Sequence, residues 1–189
     1  MSASNYFVRR AAPEDVSHAT RIGSLIREAA KTHSIAERSQ ELITDKLTKG
    51  LAAIALQESV VVGFGYLAPW GGDVISHSGI VIDPAHRNQG LLRQIKSVLL
   101  EIGDEHFPKA DVISLTLSEA VYQVNLSLGY ESAPLTGLTS DQGFWDGCRG
   151  CHQYEAVHSA KPIEQANGIG GFCCCKGMRR RAKNCTSHN

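Results

Sequence analysis

The segment at residues 79–100 constrains the fold more than any other part of the chain. Its first residues, Gly-Ile-Val-Ile, have the character of a buried strand, and Asp83-Pro84 ends that strand. A tight loop containing Arg87 and Gly90 follows, and it opens directly into a helix that stops at Pro108. The apolar stripe of this helix is formed by Leu91, Ile95, Val98 and Ile102, and it is widened by Leu92 and Leu99.

A strand that leads through such a loop into a helix makes a binding site for an anion. The N–H groups of the first helical turn have no helical partner, and the helix dipole places partial positive charge there. Gly90 lets a phosphate approach the backbone closely, and Arg87 adds positive charge. The segment lacks the Gly-Lys-Ser/Thr of a Walker loop and the three glycines of a dinucleotide fingerprint. The residues thus indicate a phosphate or nucleotide site, with an ordinary strand-to-helix loop as the simpler alternative.

The order of the remaining elements predicts an α/β layered domain with a mixed sheet. Helical spacing marks a helix after Pro13, a second helix at residues 39–49 and a short helix at 118–128. The polar residues 57–59 between two apolar runs indicate a hairpin. Residues 159–172, which are rich in glycine and alanine, are typical of a linker. Strands are predicted at residues 6–10, 51–56, 60–68, 74–82, 112–117, from 130 onward and at 153–157.

The charge is unevenly distributed, although 19 basic and 19 acidic side chains cancel in the whole chain. The last 17 residues carry +5 and no acid, so the rest of the chain carries −5. An acidic body is not typical of a nucleic-acid-binding protein, and we expect no nucleic-acid partner. No apolar run approaches the length of a membrane span, and residues 1–10 lack the apolar core of a secretory signal. We therefore expect a cytoplasmic protein with reduced cysteines.

Several segments resemble the GNAT superfamily of N-acyltransferases, over roughly residues 5–157. The run containing Pro84, Arg87 and Gly90 is similar to the superfamily's acyl-CoA-binding motif, Arg/Gln-x-x-Gly-x-Gly/Ala after a strand ending in Pro. Three further runs agree with it: Phe7-Val8-Arg9-Arg10 with Asp15, Val61-Val62-Gly63-Phe64-Gly65-Tyr66, and Leu128-Gly129-Tyr130. The resemblance implies a mixed, mostly antiparallel sheet flanked by helices, and transfer of an acetyl or other acyl group from CoA to an amine.

The resemblance also implies which residues bind acetyl-CoA. The last residues of the strand before Pro84 are expected to offer backbone groups to the pantetheine arm, and the loop and first helical turn to offer N–H groups to the pyrophosphate. The strand residues are Ile80, Val81 and Ile82. The loop and helix residues are Arg87, Asn88, Gln89, Gly90, Leu91 and Leu92.

Two positions depart from the superfamily's pattern. Leu92 stands where Gly or Ala is usual, and a larger side chain there could narrow the pyrophosphate site. Asn125 stands where the superfamily usually has the Tyr that reprotonates the CoA thiolate. Tyr122, one helical turn earlier, is a candidate for that acid, with a part-buried helix aromatic as the alternative. Asn125 could still form a hydrogen bond with the sulfur or with pantetheine.

The amine that attacks the thioester must first lose a proton, so the site needs a base or a water chain. His77 lies on the strand that leads to the CoA motif, and histidine titrates in the range that suits this task. A surface histidine without a catalytic role is the alternative, and the flanking Ser76 and Ser78 make a water relay another.

All six cysteines lie at residue 148 or later. Two pairs with the spacing of metal ligands could together bind one zinc ion, and they are Cys148-x-x-Cys151 and Cys173-x-Cys175. Residues 144–151, Phe-Trp-Asp-Gly-Cys-Arg-Gly-Cys, resemble a pattern of some bacterial GNAT proteins that also have a late Cys-x-Cys. Three other roles of the cysteines are possible alternatives to a zinc site. They could be incidental thiols, they could form a redox pair, or they could carry acyl chains that anchor the protein to a membrane beside the arginines at 179–181.

These observations predict a GNAT-like acyltransferase domain at residues 1–158 and a cysteine-rich, basic extension at residues 159–189. The rival hypothesis is a non-catalytic module that binds acyl-CoA or senses thiol or metal state. The acceptor is expected to be a small-molecule or peptide amine, but the segments at 31–38 and 135–147 show no pattern that identifies it. The sequence leaves a homodimer open.

Overall fold

Up to residue 127 the elements follow the predicted order of a strand, two helices, a hairpin, a strand, a helix, a strand and a helix. The computed structural model describes residues 5–32, 35–71, 74–150 and 175–183. The strands in these ranges are β1 (Tyr6–Arg10), β2 (Ala52–Gln57), β3 (Val60–Trp70), β4 (Val74–Ile82), β5 (Asp111–Thr116), β6 (Glu131–Ser132) and β7 (Lys176–Arg180). The helices are α1 (Ala19–Thr32), α2 (Gln40–Thr48), α3 (Leu91–His106), α4 (Glu119–Ser127) and α5 (Gln142–Asp146).

The strands form one mixed sheet in the order β1-β2-β3-β4-β5-β7-β6. The pairs β1–β2, β2–β3, β5–β7 and β6–β7 are antiparallel, whereas β4 and β5 run parallel. The mixed, mostly antiparallel sheet with flanking helices is therefore confirmed. The predicted hairpin is the β2–β3 pair, and its turn places Glu58 at a φ of 55°.

The backbone divides into two compact units. The first comprises Met1–Ala68 and His77–His106, and the second comprises Pro69–Ser76 and Phe107–Asn189. The predicted domain boundary at residue 158 and the linker at 159–172 lie outside the described residues, so the division at 158 stays a prediction.

In the first unit, α3 packs its apolar stripe against β1 and β2. Ile95 and Leu99 of this stripe are fully buried, and β2 is buried along almost its whole length, as a central strand should be. The start of the unit is fixed by Asp15, which accepts two hydrogen bonds from the Arg9 guanidinium at 2.6 and 2.8 Å. The same carboxylate accepts from Ala12 N–H at 2.7 Å and so caps the turn that leads into α1.

In the second unit, β7 lies along β5 and is held there by a buried carboxylate. Asp111 accepts from Arg179 at 2.8 Å, from Arg181 at 2.9 Å and from Ala182 N–H at 2.9 Å. Burial opposes the ionisation of Asp111, but these three donors outweigh it and hold the pKa of the carboxyl below its usual range. β7 was not predicted from the sequence, and it lies within the residues assigned to the extension. The strand that was predicted at 153–157 lies outside the described residues.

Candidate active site

The loop between β4 and α3 has the backbone conformation of an anion cradle. Pro84–His86 form a single 3-10 turn. Asn88 and Gly90 then adopt left-handed conformations, with φ of 61° and 74°, before α3 begins at Leu91. Asparagine and glycine are the residues that adopt this region at least cost. Residues 87–90 are all exposed, and the Arg87 N–H donates to Pro84 O at 3.4 Å, so the N–H groups of residues 88–90 are the ones that can reach a ligand.

The first turn of α3 supplies the remaining donors. The Gln94 N–H donates to Gly90 O at 3.3 Å, so the N–H groups of the three residues before Gln94 have no acceptor inside the helix. The exposed Arg87 side chain lies beside the end of β4, with its Nε 3.5 Å from Ile82 O. Leu92, the departure from the superfamily's motif, is half-buried. The structure thus brings the predicted pyrophosphate-binding residues together in the first unit.

The part of β4 before this loop contains a backbone irregularity at Gly79. Its φ of 58° is one that other residues rarely adopt, and a Cβ at this position would lie 2.5 Å from the Tyr66 ring. The three residues that follow, Ile80 to Ile82, are the predicted pantetheine-binding segment. The chain leaves β4 in contact with β3, because Asp83 N–H donates to Val62 O at 2.8 Å.

The predicted base, His77, lies on β4 against a buried lysine. Its Nδ1 is 3.5 Å from the Nζ of Lys96, a residue of α3 that is only 1% exposed. Burial lowers the pKa of Lys96 to about 7, because a buried ammonium loses its hydration. Lys96 was not among the predicted site residues, although its position in the sequence is unusual for a lysine. The residue lies between Leu92 and Leu99 at helical spacing, and therefore on the widened apolar face of α3.

Ser76 and Ser78, the predicted alternative to a histidine base, differ in exposure. Ser76 is buried, and its hydroxyl accepts a hydrogen bond from Trp70 Nε1 at 2.8 Å. Ser78 is half-buried. The contact with Trp70 places Ser76 among the residues of the second unit, whereas His77 and Ser78 belong to the first.

Tyr122, the candidate acid, lies in the second unit on α4. Its hydroxyl is 2.8 Å from Ser132 Oγ, and the Nζ of Lys176 is 4.3 Å from the centroid of its ring. The side chain is half-buried, so both the catalytic hypothesis and the alternative of a part-buried helix aromatic are compatible with its position.

Asn125 lies one turn further along α4 and is completely buried. Its Nδ2 donates to Ser114 Oγ at 3.0 Å and lies 3.4 Å from the sulfur of Met178. Its Oδ1 has no hydrogen-bond partner among the described residues. The amide therefore uses its donor side within the second unit, and its acceptor side is buried.

The predicted zinc ligands are only partly within the described residues. Cys148 and Cys175 are half-buried members of the second unit, whereas Cys151 and Cys173 lie outside the described ranges. In the ranges that the structure describes, no group of three or more His, Cys, Asp or Glu residues could hold a metal ion. The set of four cysteines stays a prediction.

The sequence analysis also missed two cations around Tyr66 on β3. Arg38 Nε donates to the Tyr66 hydroxyl at 2.7 Å, and Lys46 of α2 lies over the ring with its Nζ 5.8 Å from the centroid. Nothing in the sequence brings these three residues together, because residue 38 lies between two helices and residue 66 is only one aromatic in an apolar strand.

Comparison with known proteins shows similarity at the level of the fold. No family model and no curated protein matches the sequence. The structure of yncA from Salmonella typhimurium with its cofactor acetyl-CoA matches with a TM-score of 0.65 and 15% identity, over 97% of this chain and 98% of that one. A phosphinothricin acetyltransferase of the GNAT superfamily from Sinorhizobium meliloti, in complex with AcCoA, matches at 0.60 and 16%, over 94% and 88%.

A third match shows that this fold also occurs as part of a longer chain. N-acetylglutamate synthase from Neisseria gonorrhoeae, complexed with coenzyme A and N-acetyl-glutamate, matches with a TM-score of 0.62 and 15% identity. The match covers 96% of this chain but only 36% of the synthase. The chain therefore has the fold of the GNAT acetyltransferases. Since one fold can support several functions, the reaction has to be argued from the site.

No helix in the described part of the chain is both long enough and apolar enough to cross a bilayer.

Proposed function

We propose that the protein transfers an acetyl group from acetyl-CoA to an amine. The observation that carries this proposal is the cradle between β4 and α3, where Asn88 and Gly90 turn the backbone and the first turn of α3 presents its N–H groups. A pyrophosphate bound there would be stabilised by the helix dipole and by Arg87. The backbone of residues 80–82 would then hold the pantetheine arm. In the same fold, yncA and the phosphinothricin acetyltransferase hold acetyl-CoA.

The proposed reaction moves one acetyl group and one proton. The amine nitrogen attacks the thioester carbonyl carbon, the C–S bond breaks, and CoA leaves as a thiolate. The amine must give up a proton to become an amide, and the thiolate must gain one to leave as CoA-SH. The site therefore has to supply a base on the side of the acceptor and an acid on the side of the sulfur.

His77 is the proposed base, and Lys96 is the proposed partner that orients it. A neutral Lys96 amine could accept a hydrogen bond from His77 Nδ1–H and so fix the tautomer and the orientation of the imidazole. The burial that lowers the pKa of Lys96 to about 7 supports this arrangement, because the amine form is then populated near neutral pH. Lys96 would act through His77 and is a positioning residue.

Tyr122 is the proposed acid for the CoA thiolate. Its hydroxyl can give up a proton and already lies in a hydrogen bond with Ser132. Asn125 fits a different role, because its Nδ2 donates to Ser114 Oγ and to Met178 Sδ, whereas its Oδ1 accepts from none of the described residues. A thiolate needs a donor, whereas a pantetheine N–H needs an acceptor, so we propose Asn125 as a pantetheine contact.

The substitution at position 125 also favours the rival function, a module that binds acyl-CoA without turnover. A buried Asn cannot donate the proton that the superfamily's usual Tyr supplies, and Leu92 alters the last position of the CoA motif. Such a module would hold acetyl-CoA in the same cradle. The two functions therefore differ in turnover and not in ligand.

Mass spectrometry of acetylated products over a panel of amines, together with chromatography of released CoA, tests the proposal. These methods are preferable to thiol reagents, because the protein's own six cysteines would react with them. We expect Arg87→Gln to weaken CoA binding and His77→Gln to lower kcat by at least about 100-fold. Arg27→Gln, which alters an exposed arginine of α1, should change neither. CoA binding without turnover would favour the rival module, and no CoA binding would refute both.

We also propose that Cys148, Cys151, Cys173 and Cys175 bind one zinc ion and that the protein is cytoplasmic. A reducing compartment would keep the four sulfurs available as thiolates. Metal analysis of protein purified without a His-tag tests the zinc site, since one zinc per chain is expected. Titration of all thiols with no bound zinc would contradict it.

A further inference from the structure

Two cations of the first unit converge on one buried phenol. Tyr66 is 4% exposed, and its hydroxyl accepts from Arg38 Nε at 2.7 Å while Lys46 lies over its ring. Arg38 is further fixed by donating from Nη1 to the carbonyl oxygens of Ala36 and Glu37, at 2.8 and 3.0 Å. None of the described residues accepts from its Nη2. The guanidinium is therefore rigidly held and still presents two N–H donors.

These cations lack the carboxylate partners that basic residues elsewhere in the unit have. Arg9 pairs with Asp15, Arg21 with Asp83, and Lys49 with Asp45, at 2.5 to 2.6 Å. By contrast, no described carboxylate lies within 4.0 Å of Arg38 or Lys46, although both side chains are half-buried.

Burial lowers the pKa of Lys46 and outweighs the opposing effect of the Asp45 charge. A half-buried cation without a carboxylate is destabilising unless an anion joins it. The cluster of Arg38, Lys46 and Tyr66 is therefore suited to binding an anionic group.

The position of this cluster connects it to the proposed reaction. The Tyr66 ring packs directly on Gly79, since a Cβ there would lie 2.5 Å from the ring. Gly79 lies between His77, the proposed base, and Ile80, the first residue of the proposed pantetheine segment. An anion held by the cluster is thus only a few residues of β4 away from the place where the amine must lose its proton.

We infer that the acceptor amine carries a carboxylate, and that Arg38 and Lys46 bind this carboxylate beside Tyr66. The inference rests on the proposed acetyl transfer and names the substrate class of the same site. A guanidinium with two N–H donors on one nitrogen and a neighbouring ammonium complement a carboxylate in charge and in donor number. The amine at the other end of the acceptor then faces β4.

A panel of acceptors that differ only in charge tests the inference. Glycine, β-alanine and 4-aminobutyrate are each compared with the corresponding carboxamide, and phosphoethanolamine and spermidine complete the panel. The acid and the amide have nearly the same shape, and the series varies the distance between nitrogen and carboxylate. Because the amine of an α-amino amide is less basic, rates are compared per unprotonated amine. We expect at least a tenfold higher kcat/KM for the best acid than for its amide.

Variants at the two cations make the test specific. Lys46→Met and Arg38→Gln should raise the KM for the acid at least tenfold and bring the acid-to-amide ratio close to one. The KM for acetyl-CoA should not change, which shows that the variants fold. Lys49→Met is the matched control, because it alters an exposed lysine that is paired with Asp45 and does not contact Tyr66.

The outcomes separate this inference from the proposed function. A clear preference for acids that both variants abolish supports the inference. The inference is overturned if the enzyme prefers amides, spermidine or phosphoethanolamine, or if it acetylates other amines but none of the amino acids. The proposed acetyl transfer is not affected by these outcomes. Failure to bind or turn over acetyl-CoA refutes the proposed function and this inference together.

Discussion

Replacing Lys96 by methionine should change the pH dependence of stability in a calculable way. The side chain is 1% exposed, and burial lowers its pKa to about 7, far below the 10.5 of an ordinary lysine. In the unfolded chain the same lysine stays protonated up to about pH 10. Methionine keeps a flexible, unbranched side chain in the same space and carries no proton.

The magnitude follows from the proton balance between the two states. Between pH 7 and the unfolded pKa, the unfolded chain holds one proton more at Lys96 than the folded protein does. Stability therefore rises with pH by about 1.4 kcal/mol per unit from this group. The destabilising effect of the buried ammonium is complete below pH 7 and fades as the pH rises. Because Lys96 is still half protonated in the folded protein at pH 7, the wild-type protein should gain about 2 kcal/mol relative to Lys96→Met from pH 7 to pH 9.

Urea unfolding followed by circular dichroism, at pH 7, 8 and 9, measures this difference. At each pH, the unfolding free energy of the wild type is subtracted from that of the variant. This difference removes the contribution of every other titratable group whose surroundings are the same in both proteins. His77 does not keep them, because its Nδ1 lies 3.5 Å from Lys96 Nζ, so the pair is also compared in a His77→Gln background. Lys109→Met, which changes an exposed lysine, should show no such slope.

One result would refute the reasoning. If the difference in unfolding free energy between Lys96→Met and wild type is the same at all three pH values, Lys96 does not change its protonation in this range. Burial would then not have shifted its pKa, and Lys96 could not act as the neutral partner of His77. A slope in the exposed control of the same size would lead to the same conclusion.

Two further predictions concern single residues that fix the backbone. Gly79→Ala should destabilise the protein by about 1–3 kcal/mol more than Gly129→Ala and lower kcat, since both glycines have positive φ but only Gly79 has a neighbour within 4 Å of a new Cβ. Equal losses in urea unfolding would contradict this. Asp111→Asn should cost about 2–3 kcal/mol and speed amide hydrogen exchange in β7, because the carboxylate holds Arg179 and Arg181. Unchanged exchange in β7 would exclude that anchoring role.

Local patterns were sufficient to predict most of the elements. The apolar period of α3, the hairpin around residues 57–59 and the loop at Arg87 to Gly90 are encoded in adjacent residues, and the structure contains each of them. By contrast, β7 is a short strand with a basic sequence, Lys-Gly-Met-Arg-Arg, and it has no alternation that would mark it. Its position depends on Asp111, 68 residues earlier in the chain than Arg179.

The candidate site was predictable to the same extent. His77 and the proposed CoA-binding segment follow one another along β4 and α3, so a linear motif is enough to propose them. In the sequence, Lys96 is marked only as a polar residue within the apolar stripe of α3. No sequence pattern marks the cluster of Arg38, Lys46 and Tyr66. These residues come from three separate segments, and only the tertiary fold brings them into contact.

The charge of the first unit is consistent with two anionic substrates meeting along β4. Arg87 lies beyond its end in the exposed loop, and Arg38 and Lys46 contact Tyr66, whose ring packs on Gly79 near the middle of the strand. No described carboxylate lies within 4.0 Å of any of the three, whereas Arg9, Arg21 and Lys49 each have one. Arg38 and Lys46 are half-buried, and a half-buried charge without a carboxylate costs stability unless an anion binds beside it. Phosphates at one end and a carboxylate near the middle would supply the missing partners.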